Sequence, residues 1–317
     1  MRGKAGSHGW SVPVLSVSLN TDPKNYTSRL IRSIDYPVDK LFVQIGNADK
    51  NVVNMLFHST NASASLNPMV RDFVIVTLPY NPGSSKGFNF GLKAMSATTG
   101  DSNRSEWVLV VNNDIAFYPG VLKKIAKSTA RALHHNDTFG VGFTSLCCGS
   151  EWSAVVFTER LVSKIGYFDE NFYPAYYEDD DYGIRIHLSN YKAMMFENTP
   201  LLHGEIDGSK DYLSGIFVQL YFSPAQDAAT NFWRKSHEAG VPKSKAYIEA
   251  KWGIQMGDFK DKHKLDCKSI IGLNELCAPS FIVPFNNHAH NISQWVMLQD
   301  TEERIQEAAT HIPPPPS

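Results

Sequence analysis

Four consecutive carboxylates, Glu178-Asp179-Asp180-Asp181, stand between Tyr173, Tyr176 and Tyr177 on one side and Ile184 and Ile186 on the other. Like charges at this density repel one another unless a proton, a cation or a hydrogen-bond network uses them, and apolar flanks are not those of a solvated charge run. The plain alternative is a helix start: acidic side chains favour the positive end of the helix dipole, and Asp181 lies one turn before Arg185. A second set, Asn112-Asn113-Asp114, closes the apolar run 108–111. A carboxamide and a carboxylate two residues apart at a strand end can hold a hard cation and, through it, phosphates, although Asn-Asp pairs also form ordinary turns. A third set runs from Asn81 through Gly83, Gly87 and Asn89 to Gly91. Glycines spaced in this way let backbone and a helix N-terminus approach a diphosphate or ribose, or else make a Gly-rich turn into a helix. Their spacing is neither that of the dinucleotide fingerprint nor that of the P-loop.

The elements that must position these residues alternate between strand and helix. Residues 12–19 form a strand-like run, and 24–34 follow with Leu30, Ile31 and Ile34 on one helical face. Residues 41–45 predict a second strand and 51–58 a short helix. The uninterrupted runs 73–78 and 107–111 predict strands buried on both faces of a parallel sheet. The class is therefore α/β, with a mostly parallel central sheet flanked by helices. Ligands of such sheets bind at the carboxyl ends of the strands, which singles out Asn20, Asp22, Asn47, Asn81, Gly83 and Asn112 to Asp114. Further on, 139–144, 154–157 and 192–196 read as strands, and 159–165 and 182–190 as helices. Residues 225–240 and 244–252 read as helices of a C-terminal extension, and the proline-rich end, 311–317, as a tail.

Composition narrows the class of function. A chain of 317 residues with a net charge of −2 and no Lys/Arg cluster lacks what a nucleic-acid phosphate backbone demands. Its longest apolar runs are strand-sized, far short of the ~20 residues of a bilayer helix. The first ten residues lack a signal-peptide core, which leaves a cytosolic chain or a soluble piece of something longer. Asn-x-Ser/Thr triplets begin at Asn25, Asn61, Asn103, Asn136 and Asn291 and would suit a secretory (Golgi) lumen. Cys147 and Cys148 read as buried thiols, whereas Cys267 and Cys277 could close a disulfide in an oxidising compartment. Neither pair has the spacing of a zinc site.

Taken in order, these motifs resemble a family 2 glycosyltransferase of the GT-A fold. The order is a strand, Asn-x-Gly-x3-Gly-x-Asn-x-Gly, a strand ending in Asn-Asn-Asp, then Gly166-Tyr167-Phe168-Asp169-Glu170-Asn171-Phe172 and the acidic block before Arg185. The likeness is nearest to the branch of rhamnosyl- and galactofuranosyltransferases and covers about residues 12–204. It implies a catalytic domain over 1–215, with a nucleotide-sugar half near 12–115 and an acceptor half near 116–215, and a mostly helical extension over 216–310. Asn112 and Asp114 match the ends of the family's DxD motif, which binds a divalent cation, manganese or magnesium, bridging the donor diphosphate. Asp179 matches the general base, and His203 the position where many members supply a third metal ligand. Donor contacts are implied for Asn20, Asp22, Asn47, Asn81, Gly83, Gly87, Asn89 and Asn113, and acceptor contacts for Trp152, Tyr177, Glu178 and Asp181.

Elementary chemistry agrees with this division of labour. Displacing a nucleotide from an anomeric carbon puts negative charge on the leaving diphosphate, which a hard cation offsets, and the attacking hydroxyl needs a carboxylate to accept its proton. One base and one metal site imply inversion. Partners are then a nucleotide-sugar donor, a UDP-sugar by default, and a glycan or glycoconjugate acceptor. Two departures stand out: Asn112 replaces the first Asp of DxD, and Gly46-Asn47 replaces the Asp that reads the nucleotide base. A sugar-nucleotide pyrophosphorylase would need a basic Gly-rich loop after the first strand, and Leu19-Asn20-Thr21-Asp22 does not supply one. A non-catalytic carbohydrate- or nucleotide-binding relative is the other alternative, with Asn112 as its hint.

Overall fold

The computed structural model describes residues 11–19, 26–46, 67–95, 105–144, 151–203 and 228–252, with the side chains of all of these except 19, 151, 203 and 228–239. Four runs of β-branched and aliphatic residues form mutually parallel neighbours: β1 (Val12–Leu19), β2 (Val38–Ile45), β3 (Val70–Thr77) and β4 (Trp107–Asn112). Their register, Ser18 opposite Gln44 and Asn112, and Gln44 opposite Val76, brings all four carboxyl ends to one edge. β6 (Phe139–Phe143), β7 (Ala154–Thr158) and β8 (Lys192–Met195) complete a seven-stranded sheet in the order β3-β2-β1-β4-β7-β6-β8. β7 runs antiparallel to β4 and β6, so its start, Ala154, lies opposite Val111 on the same edge as the carboxyl ends. A separate pair, β5 (Ile115–Phe117) and β9 (Leu201–His203), is antiparallel. The α/β class and mostly parallel sheet match expectation.

One strand departs from it. β4 is buried along its length up to Asn112, as a run flanked by partners on both sides must be, but β3 is the last strand of the described sheet, and of its eight residues three are exposed and four half-buried. Hydrophobic continuity alone does not distinguish a central strand from an edge strand. The helices flanking the sheet are α1 (Tyr26–Arg32), α2 (Gly83–Ala94), α3 (Val121–His135), α4 (Glu159–Ile165) and α5 (Glu178–Leu188), followed by the long α6 (Ala228–Trp252). Helix α3, whose Val121, Leu122, Ile125, Ala126, Thr129 and Ala132 face the core, has a helical spacing that the sequence reading passed over. The two C-terminal helices expected at 225–240 and 244–252 are one helix running through Pro242. The helix expected at 51–58 and all four cysteines lie outside the described residues. Among the described residues no helix is long and apolar enough to cross a membrane.

Two core clusters lie on opposite faces of the sheet. One contains Leu15, Val17, Leu41, Leu109 and Val111 with α1 and α3, and the other contains Val14, Val108, Val110 and Phe157 with α2, α4 and Tyr182 of α5. Helix α2 reaches its face because Gly87 and Gly91 remove side chains where it crosses β1. A Cβ on Gly87 would fall 2.6 Å from Ser18 Oγ, and one on Gly91 would fall 2.8 Å from Val110 Cγ2 and 2.9 Å from Ser16 Oγ. The glycines of the third motif therefore serve helix–sheet approach. Gly91→Ala would gain up to about 1 kcal/mol of helix propensity but incur overpacking of about 1–3 kcal/mol. We expect a net loss of stability, read as a lower urea midpoint; an unchanged or higher midpoint would show that the helix can retreat without cost.

Candidate active site

Asn112, the last residue of β4, is exposed at the carboxyl edge, and Asn113 and Asp114 beyond it are half-buried. The turn is pinned on both sides: Asn112 Nδ2 donates to Ser153 Oγ at 3.2 Å, and Arg29 Nη2 of α1 donates to the Asp114 carbonyl at 2.8 Å. The β5–β9 register sets the His203 position opposite Ile115, one residue past Asp114, so the backbone brings the second and third expected metal ligands to one corner. Oxygen donors on a strand-end turn suit a hard cation that completes its shell with substrate phosphates. Among the described residues no group of three or more His, Cys, Asp or Glu side chains is placed to hold a metal ion. Asn20, Asp22 and Asn47 follow β1 and β2 at the same edge in sequence and lie outside the described residues.

The Gly-Asn motif ties α2 to its surroundings. At the start of α2, the Gly83 amide donates to Asn81 Oδ1 (2.8 Å) and the Ser84 amide to the Pro174 carbonyl (2.8 Å), so the loop before α5 covers these amides. Gly83 has φ of 74°, and a Cβ there would meet the Pro174 carbonyl at 2.8 Å, which excludes other residues on both counts. Buried Asn89 donates to the Phe168 carbonyl and to Glu170 Oε1, both at 2.9 Å, and accepts from the Phe168 amide at 2.8 Å. The residues expected as donor contacts, Asn81, Gly83, Gly87 and Asn89, thus also join α2 to the sheet and to the loop 166–177.

That loop delivers the acidic block. All four carboxylates fall in the first turn of α5, as the helix-start reading expects, but they divide by burial. Glu178 and Asp181 are buried, whereas Asp179 and Asp180 are half-exposed. Asp181 accepts from Arg185 Nε (3.0 Å) one turn on, from Lys251 Nζ (2.7 Å) and from Trp252 Nε1 (2.9 Å). Lys251, its side chain 3% exposed, also pairs with Asp169 at 2.8 Å. Arg185 reaches back to the Ile165 and Tyr167 carbonyls at 3.0 and 2.7 Å. Asp181, expected as an acceptor contact, is a buried counter-ion, and Tyr177 and Glu178, expected beside it, are buried as well. Tyr177 is fully enclosed by Phe172, Ile184 and Ile248. Trp152, expected as an acceptor contact, is half-buried and packs against the rings of Phe143, Phe157, Phe168 and Tyr182.

Asp179 keeps its access. It follows two residues, Tyr176 and Tyr177, with φ of 77° and 69°, a left-handed region that costs a non-glycine residue about 1–3 kcal/mol and persists only where the surroundings over-determine it. One turn further along α5, a Cβ on Gly183 would meet nothing within 4 Å among the described residues, so the helix surface beside Asp179 is open. Contacts connect this turn to the strand-end turn. Tyr182 faces Trp152 edge-on (6.4 Å between centroids), Trp152 precedes Ser153 in the short 3-10 turn Glu151–Ser153, and Ser153 accepts from Asn112. Asp169 entered the sequence reading only as part of the Gly166–Phe172 motif, and Gly183, Lys251 and Trp252 were assigned no role; nothing local says which carboxylate a distant lysine will meet.

No family model matches the chain. A galactofuranosyl glycosyltransferase of Leishmania donovani is 36% identical over 70 residues, a stretch that makes up 22% of this chain and 15% of that protein. Among solved structures, S. aureus TarS 1-349 aligns with a TM-score of 0.44 at 15% identity over 60% of each chain. The same protein in complex with UDP-GlcNAc aligns with a TM-score of 0.43 at 14% identity, over 65% of this chain and 62% of that one.

Burial by itself pushes the Asp169 carboxyl up, but the Lys251 ammonium, with hydrogen bonds from Lys251, the Asn171 amide and Tyr247, outweighs it and holds Asp169 below the usual carboxylate range. Burial and the same carboxylate push the Tyr247 phenol up, so it stays protonated and donates to Asp169 Oδ2 at 2.8 Å. A depressed folded-state value contributes stability above the unfolded value of about 4 that is lost as pH falls through the folded value. The penalty of Asp169→Asn should therefore be full at pH 6 and shrink below about pH 4. Urea unfolding of both proteins from pH 3 to 7 reads this difference, and a pH-independent gap would remove Asp169 from the linkage.

Proposed function

We propose that this chain is a glycosyltransferase of the GT-A fold that moves a sugar from a nucleotide diphosphate, a UDP-sugar by preference, to a hydroxyl of a glycan or glycoconjugate. The observation that carries this reading is the placement of Asp179. It is half-exposed in the first turn of α5, behind two strained aromatic residues, and joined through Tyr182, Trp152 and Ser153 to an Asn-Asn-Asp turn at the carboxyl edge of a parallel sheet. Local identity to a galactofuranosyl glycosyltransferase supports the same class.

The division of roles follows from the chemistry. Asp179 accepts the proton of the acceptor hydroxyl as its oxygen bonds to the anomeric carbon. The bond from that carbon to the diphosphate oxygen breaks with its electron pair leaving on the nucleotide, and the proton passes to solvent. A single displacement of this kind inverts the anomeric centre. Asn112, Asp114 and the His203 position would hold a manganese or magnesium ion, which when bound offsets the charge on the diphosphate. Asn20, Asp22, Asn47 and Asn113, at or following the same edge, are the proposed donor contacts. Asp180 and the open surface at Gly183 lie where an acceptor would approach Asp179.

The full chain, incubated with a panel of nucleotide sugars, should release free nucleotide from at least one. Asp179→Asn should lower that rate by about 10²–10⁴-fold with thermal unfolding unchanged. An undiminished rate in the variant would sink the assignment of the base, and no release from any donor by the wild-type chain would sink the transferase reading. Donor binding tests the cation separately. Calorimetric titration of UDP should weaken on chelation and recover with manganese, and Asp114→Asn should blunt that recovery. Identical titrations in chelator would show that no cation bridges donor and protein.

A further inference from the structure

Lys251 stands far from the acidic block in sequence and belongs to no strand-end turn, yet it touches both acidic motifs at once. Its ammonium lies 2.8 Å from Asp169 Oδ2 in the loop 166–177 and 2.7 Å from Asp181 Oδ1 in the first turn of α5, with Phe172, Tyr247 and Trp252 rings 5.7–5.9 Å from it. Trp252 adds a second bond from α6 to Asp181, and Tyr247 a second to Asp169. Asp169 and Asp181 are paired with Lys251 and Arg185, two charges of each sign, and Glu178 in the same turn is a further buried carboxylate. Arg185 satisfies Asp181 from within α5, so a helix that only needed its own first turn neutralised would not require Lys251. What α6 adds is a tie between α5 and the loop that enters it. Between the two tied carboxylates lie the left-handed residues Tyr176 and Tyr177, and Asp179 is two residues before Asp181. Ile248, fully buried one turn before Lys251, packs with Tyr177, and a Cβ on Gly240 would fall 2.6 Å from Pro174 Cδ, so α6 lies against this segment along several turns.

We propose that Lys251 is a positioning residue for the reaction: by bridging Asp169 and Asp181 it holds the strained turn 176–177 and thereby sets the direction of Asp179. This rests on the transferase reading for its catalytic consequence, and on geometry alone for the positioning. It assigns the C-terminal helix a part in the chemistry that its distance from the strand-end motifs hides.

Lys251→Met alone leaves two buried carboxylates facing one guanidinium and risks the fold, so the informative variant is Lys251→Met/Asp169→Asn. It removes one charge of each sign. Asn at 169 can still accept from the Asn171 amide and bond the Tyr247 hydroxyl, and Asp181 keeps Arg185 and Trp252. In the full chain, this variant should stay folded by thermal unfolding, while hydrogen exchange of the amides 178–182 quickens roughly tenfold or more and that of β1 and β4 does not change. kcat for transfer should fall on the order of 10- to 100-fold with the donor KM held within about twofold, since misdirecting a base costs turnover and not donor binding. A folded double variant whose 178–182 amides exchange as in the wild type overturns the proposal, as does one with quickened exchange and undiminished kcat. Because exchange is read on the protein alone, it judges the positioning whatever the fate of the transferase reading. Absence of nucleotide release by the wild type defeats that reading only.

Discussion

A charge taken out of water has to meet its counter-charge in the place where it is buried, and in this protein that requirement falls on Asp169, Asp181, Arg185 and Lys251. Desolvation of each costs several kcal/mol that only close pairing and hydrogen bonding offset. The pairing here is distributed over three segments: the loop 166–177, helix α5 and helix α6. None of the three can move without stranding a charge, and Asp179 lies in the chain between the two bridged carboxylates. A hydrophobic contact could hold α6 in place as strongly. It could not fix the direction of α5 so narrowly, because apolar packing is non-directional and an ion pair with hydrogen bonds is not.

Beneath that cluster the parallel sheet does the coarser work. Parallel register gathers the ends of β1 to β4 on one edge, and the antiparallel return of β7 places Trp152 and Ser153 there too. Helix α2 then has to lie close to β1, which Gly87 and Gly91 permit, and its Asn89 reaches across to hold Phe168. The stacked rings of Phe168 and Tyr182, 4.0 Å apart, carry that constraint on to α5. Sheet edge, glycine helix and acidic helix are in this way one mechanical unit, joined by side chains that no local pattern connects.

Much of the frame was legible. The strands of the first half and the short helix at 159–165 follow from runs and periodicities of the chain itself, because burial on a sheet demands a period or an unbroken apolar stretch that can be seen locally. The rank of a strand within the sheet was not: β3 reads as a buried strand and sits at the end. Side-chain roles were the least legible. Asn81, Gly83, Gly87 and Asn89 have residue types that suit a diphosphate equally well, and only the position of the Pro174 and Phe168 carbonyls shows what they bond. Likewise the helical extension reads as two helices because proline usually ends one, whereas the helix here continues through Pro242.

The acidic block separates the two kinds of information. Sequence by itself determined that four carboxylates stand ahead of Arg185 and among aromatic residues, with a helix start as one reading of them, and that Asn-Asn-Asp closes a strand earlier in the chain, since each is a matter of residue type and short spacing; the structure begins the helix at Glu178, four residues before the expected 182. Tertiary structure decided which carboxylate is which. Asp181 and Asp169 face Lys251, which arrives from a helix some seventy residues on, and serve as its counter-ions, while Asp179 is half-exposed in the first turn. The physical reason is that burial and pairing are relations between distant segments. A carboxylate becomes structural or available according to what is packed against it, and its own neighbours in the chain do not carry that information.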